Sequence, residues 1–263
     1  MQGAIINDCG DELYDALVSG VTVPPLTGRF CDMTIDDAYY ISLRMMSRRI
    51  EAGERVIGKK IGVTSRAVQA MLKVDQPDFG FLTDAMLFED GCSLSLREHQ
   101  LIHPRAEGEI AFKLKSTLEG PGITARQVMA ATESVMPCFE IVDSRIDNWQ
   151  IKIQDTVADN ASCGVFVLGK QAIDPAKLDL AALEMTVSKN KQPISRGKGA
   201  AVQGHPANAV AWLANTLGRF GIALEAGEII LSGSLVPLEP VKAGDHMSLE
   251  APGLGYVSVH FTD

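Results

Sequence analysis

Between Thr34 and Gly53 the chain reads TIDDAYYISLRMMSRRIEAG. Ile35, Ala38, Tyr39, Ser42, Met45, Met46 and Ile50 recur at helical spacing, one largely apolar stripe on a polar surface. Thr34 suits an N-cap with Asp37 three residues on, and Gly53 suits a C-terminal stop. The stripe reads as core packing. From about residue 100 the period shortens. EIAFKL, PCFEIVD, GVFVLG, LEMTVSKN, EIILSG, HMSLEA and YVSVHF are short β-like runs separated by turn residues. Two helices interrupt them: Thr124 to Glu133, and HPANAVAWLANTLGRFG, with Pro206 in its first turn and Gly218 or Gly221 near its stop. Many short strands with few helices predict an α+β fold with a curled mixed or antiparallel sheet, not a doubly wound one. Residues 1–90 are expected to form a mainly helical N-terminal part and residues 91–263 the catalytic part, with a soft boundary compatible with one continuous domain.

Composition narrows the function. The chain has 263 residues, 46% hydrophobic and 22% charged, as in an ordinary soluble enzyme. A net charge of -9 disfavours nucleic-acid partners, and it means that an anionic substrate needs a local positive charge or a metal. Five cysteines without a CxxC pair argue against a disulfide framework or a zinc knuckle. The N-terminus shows no basic and apolar leader pattern, and no apolar run approaches the ~20 residues that span a bilayer. These features predict a cytoplasmic protein without a membrane partner.

The segment Arg105-Ala-Glu-Gly-Glu-Ile-Ala-Phe112 carries the most chemistry. In a strand, Glu107 and Glu109 share one face, while Ala106, Gly108, Ile110 and Phe112 take the other. Same-face carboxylates repel unless water or a cation neutralises them. Glu140 sits inside the apolar run MPCFEIVDSR, where a buried charge requires a partner: Arg145, another arginine, or a metal shared with the first pair. Three carboxylates without Cys or His make a hard, oxygen-only site suited to Mg²⁺ or Mn²⁺.

Gly58-Lys-Lys-Ile-Gly-Val-Thr-Ser65 is a basic, glycine-rich patch without P-loop spacing. Strand alternation would send Lys59 and Lys60 to opposite faces, so one lysine at most lines a site. Asp78 in QPDFG, the polar stretch Gln154 to Ser162, and Ser232-Gly-Ser234 suit turns and loops as well as substrate contacts. The histidines at 99, 103, 205, 246 and 260 lack ligand spacing and read as structural or surface residues. Triad-hydrolase and dinucleotide fingerprints are absent from the sequence.

Taken in order, GKKIGVTS, QPDFGFL, HPRAEGEIAF, MPCFEIVDSR, TVADNASCGVFVLG, HPANAVAWLAN and EIILSGS resemble the 2-oxopent-4-enoate hydratase (2-hydroxypenta-2,4-dienoate hydratase) family of aromatic meta-cleavage pathways, within the fumarylacetoacetate hydrolase superfamily. The resemblance covers nearly the whole chain and is thinnest over the first thirty residues. It implies a mixed β-roll with a helical N-terminal part, and Glu107, Glu109 and Glu140 as ligands of Mg²⁺ or Mn²⁺. It further implies acid/base roles for Lys60 and Asp78, and substrate contacts for Asn160, Ser162, Gly233 and Ser234. The hydrolase branch carries a lysine where Val157 and Ala158 stand here, which lowers the acylpyruvate-hydrolase reading.

The implied reaction converts 2-hydroxypenta-2,4-dienoate to 4-hydroxy-2-oxopentanoate by ketonisation through C5 and water addition at C4. The implied partners are a small 2-oxo or 2-hydroxydienoic acid, further copies of the chain, and a complex with 4-oxalocrotonate decarboxylase. Besides the disfavoured acylpyruvate hydrolysis, the rivals are decarboxylation of 2-oxo-3-hexenedioate at the same metal-enolate site and a non-catalytic role supporting that decarboxylase.

Overall fold

A computed structural model describes residues 1–65, 69, 74 and 76–263. The chain opens with helices α1 (Gly3–Ser19), α2 (Leu26–Arg29) and α3 (Ile35–Glu51). Thr34 and Asp37 form the expected capping box on α3. The apolar stripe buries Ala38, Tyr39, Met45 and Met46, while Ile50, in the last turn, stays exposed. Helix α1 packs on α3 at close range because Gly10 has no side chain; a Cβ there would lie 2.6 Å from that of Arg44.

The strands follow as β1 (Val56–Gly62), β2 (Asp78–Thr83), β3 (Leu87–Glu89), β4 (Cys92–Ser95), β5 (Arg105–Leu114), β6 (Thr132–Val142) and β7 (Cys163–Leu168). The later ones are β8 (Glu184–Lys189), β9 (Gln192–Lys198), β10 (Ile229–Ser234), β11 (Glu239–Pro240), β12 (His246–Ala251) and β13 (Gly255–Thr262). Among the described residues the further α-helices are α4 (Ala125–Ala131), α5 (Ile153–Ala158) and α6 (Pro206–Gly218). The main sheet runs β2-β1-β10-β5-β6-β7-β3, with β11 added to the end of β5. The second sheet runs β4-β13-β12-β8-β9. Both sheets mix parallel and antiparallel pairs, giving the expected curled α+β architecture.

The expected boundary at residue 90 needs correction. Strands β1, β2 and β3 all belong to the main sheet, so the N-terminal ninety residues are not a separate helical part; the helices α1, α2 and α3 all lie before residue 56. Two adjacent lysines interrupt the apolar pattern of β1, and its parallel partner β10 lies far along the chain.

The two faces of β5 have different fates. Ala106, Ile110 and Phe112 join the large core, and Gly108 meets the second sheet so closely that a Cβ would lie 2.8 Å from Leu249 and from Met185. The other face looks into the roll. There Ala111, Met136, Cys138, Leu231, Phe166, Leu82 and Met86 form a separate apolar floor. The charged groups stand above this floor.

Candidate metal centre and active site

Register places the three glutamates together. Glu107 on β5 lies opposite Glu140 on β6, and Glu109 lies one inward-facing step further along β5, opposite Cys138. Like charges directly opposite on paired strands repel. One carboxylate oxygen from each residue lies within 4.8 Å of those from the others. Glu109 and Glu140 are fully buried, and Glu107 is half-buried at the open side.

The carboxylates are undersupplied with donors. Glu109 Oε1 and both oxygens of Glu140 lack a hydrogen-bond partner among the described residues. Gly233 N–H donates to Glu109 Oε2 at 2.8 Å. Burial, then the Glu140 charge, raises Glu107 to about 8, against relief from Lys60. Burial and the Glu140 and Glu107 charges push Glu109 well above the usual carboxylate range. Orphaned, mutually repelling oxygens with no nitrogen or sulfur ligand among them fit a hard divalent cation. Burial also pushes the neighbouring Cys138 and Cys163 thiols up, so they remain neutral at ordinary pH.

Lys60 and Lys59 do face opposite ways. Lys59 pairs with Glu228 behind the sheet. Lys60 is buried inside, its Nζ 3.0 Å from Glu140 Oε1, an ion pair without hydrogen-bond alignment. Arg145, the alternative partner for Glu140, is taken by Asp159. Burial works against the Lys60 ammonium, but the Glu140 and Asp78 carboxylates outweigh it and hold the lysine above its ordinary range. Asp78 is raised by burial, with Lys60 opposing the shift and Glu140 adding to it. Its Oδ1 has no hydrogen-bond partner among the described residues. The carboxylate occupies the space left by Gly62, where a Cβ would lie 2.2 Å from Asp78 Oδ1 and 3.4 Å from Lys60 Nζ.

The expected substrate-facing residues divide. Asn160 clamps the backbone of β2: its Oδ1 accepts from Phe81 N at 2.8 Å and its Nδ2 donates to Phe81 O at 2.9 Å. It thereby caps the edge of β2 three residues from Asp78. Ser162 is also buried, its hydroxyl 3.1 Å from that of Thr156. Asn160, Ala161 and Ser162 all have φ near +50°, a run of left-handed residues that needs external support. Arg145 supplies it, since its guanidinium binds Asp159 and the carbonyls of Asp143, Asp159 and Cys163. Gly233 acts through its backbone on Glu109, and at φ +102° it lies against Thr64, where a Cβ would clash. The half-buried Ser234 hydroxyl donates to Val236 O at 2.6 Å.

Sequence reasoning missed Gly62, Thr64 and the Arg145–Asp159 support. Each acts on a residue distant in sequence or through backbone shape. Two contacts agree with the histidine reading: His205 caps α6 through Nδ1, and His99 packs edge-on to Phe88.

A roll with a triglutamate cluster, a buried lysine and a buried aspartate defines a class. Residues 56–262 match the Fumarylacetoacetate (FAA) hydrolase C-terminal family, and the chain belongs to it. A 2-hydroxyhexa-2,4-dienoate hydratase from Comamonas testosteroni is 65% identical over 97% of this chain and 96% of its own length. A 2-hydroxypent-2,4-dienoate hydratase from Pseudomonas putida is 64% identical over 85% of this chain and 100% of its own. Among solved structures, 4-oxalocrotonate decarboxylase from Pseudomonas putida G7, complexed with magnesium and adipate, superimposes with a TM-score of 0.96 at 34% identity, covering 99% of this chain and 98% of that one.

Proposed function

We propose that this chain is a hydro-lyase of aromatic meta-cleavage catabolism that adds water to 2-hydroxypenta-2,4-dienoate, giving 4-hydroxy-2-oxopentanoate. The observation that carries the reading is the trio Glu107, Glu109 and Glu140, with unpartnered buried oxygens beside Lys60. The hydratase names of relatives at 64% and 65% identity support the substrate class. Glu107, Glu109 and Glu140 would hold Mg²⁺ or Mn²⁺, which when bound supplies a Lewis acid for the C2 oxygen and carboxylate of the substrate.

The remaining steps fall to the chain itself. Lys60, kept charged by Glu140 and Asp78, is the proton donor. The free Oδ1 of Asp78 takes a proton from the water that adds at C4. Lys60 gives a proton to C5 and is restored by the enol proton before addition, and Asp78 passes the proton taken from water to C3 of the C4 adduct. The apolar floor under the carboxylates keeps bulk water from the inner side of the site. Gly233 fixes Glu109 through its N–H, and Ser234 stands at the half-buried edge of β10 where substrate enters. Arg145, Asp159 and Asn160 hold the frame around β2.

In the cell we assign the enzyme to the cytoplasm as a homo-oligomer, with a 4-oxalocrotonate decarboxylase as its expected complex partner. Among the described residues, no helix is long and apolar enough to cross a membrane. The likeness to the decarboxylase structure favours one second reading, loss of CO₂ from 2-oxo-3-hexenedioate. The test follows dienol absorbance with product identification, after chelator treatment and with Mg²⁺ or Mn²⁺ restored. Metal-dependent formation of 4-hydroxy-2-oxopentanoate is expected. Release of CO₂ from the dicarboxylate without hydration of the dienoate would replace this reading by the second.

A further inference from the structure

Arg105 lies two residues before Glu107 on β5 and therefore shares its inward face, opposite Val142 where Glu107 is opposite Glu140. It is half-buried, on the same side of Glu109 as the more open Glu107. Its guanidinium lies over the ring of Trp149, 4.5 Å from the centroid, and among the described residues it forms no ion pair with a carboxylate.

The platform beneath it is built. Trp149 Nε1 donates to His103 O at 3.0 Å. Asn148 and Trp149 both have left-handed backbones, φ 51° and 57°, an unusual conformation for a bulky residue that persists only when its surroundings hold it. Those surroundings are present: the Thr22 hydroxyl donates to Asp147 Oδ1, and Asp147 N–H donates to Val23 O. A guanidinium stacked on a pinned indole is a placed charge rather than a solvated surface arginine.

The site needs such a charge. Glu107, Glu109, Glu140 and Asp78 outnumber Lys60, and one divalent cation still leaves a negative balance within a chain of net charge -9. Lys60 is already paired with Glu140. An incoming 2-oxo acid anion meets repulsion unless a free cation stands at the entrance.

We propose that Arg105, laid on Trp149, is that cation: it draws the substrate anion to the mouth of the glutamate site and sets the preference for anionic substrates. The inference rests on the hydratase reading above. The test measures KM and kcat on 2-hydroxypenta-2,4-dienoate across ionic strength for wild type, Arg105→Gln and Arg105→Lys. In parallel, Mg²⁺-loaded proteins are titrated with 2-oxopentanoate by calorimetry.

Arg105→Gln should raise KM and Kd about three- to tenfold, leave kcat within about twofold, and flatten the salt dependence of kcat/KM. Arg105→Lys should restore most of the salt dependence, and Trp149→Leu should weaken binding less than Arg105→Gln. Equal Kd values and equal salt slopes for wild type and Arg105→Gln would overturn the proposal. If Arg105→Gln does not fold, a wild-type kcat/KM indifferent to salt overturns it instead. Failure of the wild type to hydrate the dienoate would remove the hydratase reading, while the calorimetric comparison still decides the role of Arg105.

Discussion

Replacing Glu109 by glutamine removes one charge from the trio and nearly preserves its volume. The amide oxygen can still accept from Gly233 N–H. With ligand oxygens within 4.8 Å, each pair of ionised carboxylates repels by about 3 kcal/mol at an effective dielectric of about 20. Partial protonation of the raised groups reduces this in the metal-free protein. Metal-free Glu109→Gln should therefore be more stable than metal-free wild type by about 1–3 kcal/mol at alkaline pH, several degrees in Tm. Saturating metal reverses the order. At about 100 times Kd, Mn²⁺ should stabilise wild type by about 2.7 kcal/mol, whereas the variant, lacking one ligand, should gain under about 1 kcal/mol. Thermal melts in chelator and in Mn²⁺, with activity measured on the same samples, resolve both effects. A variant that is less stable than wild type without metal, or that keeps the full metal-dependent shift, would refute the charge argument.

Three further outcomes follow from the same geometry. Glu107 is raised from 4.5 to about 8, so the folded state binds a proton that the unfolded chain releases. That stability is present below pH 4.5 and lost as pH rises through about 8; after reduction for partial exposure the loss is roughly 2–4 kcal/mol. Urea midpoints in chelator at several pH values should show the slope and Mn²⁺ should abolish it; a flat metal-free profile contradicts the raised value. Gly62→Ala should lower kcat about a hundredfold with a small change in Tm, because the added Cβ displaces the Asp78 carboxyl by an ångström or more; unchanged kcat removes Asp78 from the proton path. Ser232 is fully buried and its Oγ has no hydrogen-bond partner among the described residues, so Ser232→Ala should be neutral or stabilising by up to about 1 kcal/mol; a larger loss in urea stability would reveal an interaction not accounted for.

Much of the site was legible because strand alternation is a local rule. The face shared by Glu107 and Glu109, the opposite faces of Lys59 and Lys60, and the burial of Glu140 all follow from neighbours within a few residues. The capping box at Thr34 and most strands after residue 100 were equally local. The place of β1 inside the main sheet was not legible, because its lysines are buried through Glu228 and Glu140, partners that no short window contains. The exposed β9 carries little apolar signal, as its pairing to β8 leaves its side chains in solvent. The clamp between Asn160 and the Phe81 backbone was not legible, because its two partners lie far apart in sequence.

The parallel pairing of β1 with β10 joins Gly58 to Ile229, with most of the chain between them. Such a contact forms late, since the loop must close before the pairing rewards it. A chain ending before β10 should consequently show no metal-dependent melting, because Gly233 is missing and Lys60 lacks its neighbouring strand. During synthesis the β1 edge is open to other chains until β10 emerges, the condition under which nascent sheets aggregate. Lys59 and Lys60 lie on that edge without the Glu228 that later binds one of them. The same charges that are buried as ion pairs in the finished roll thus guard its unfinished edge against mispairing.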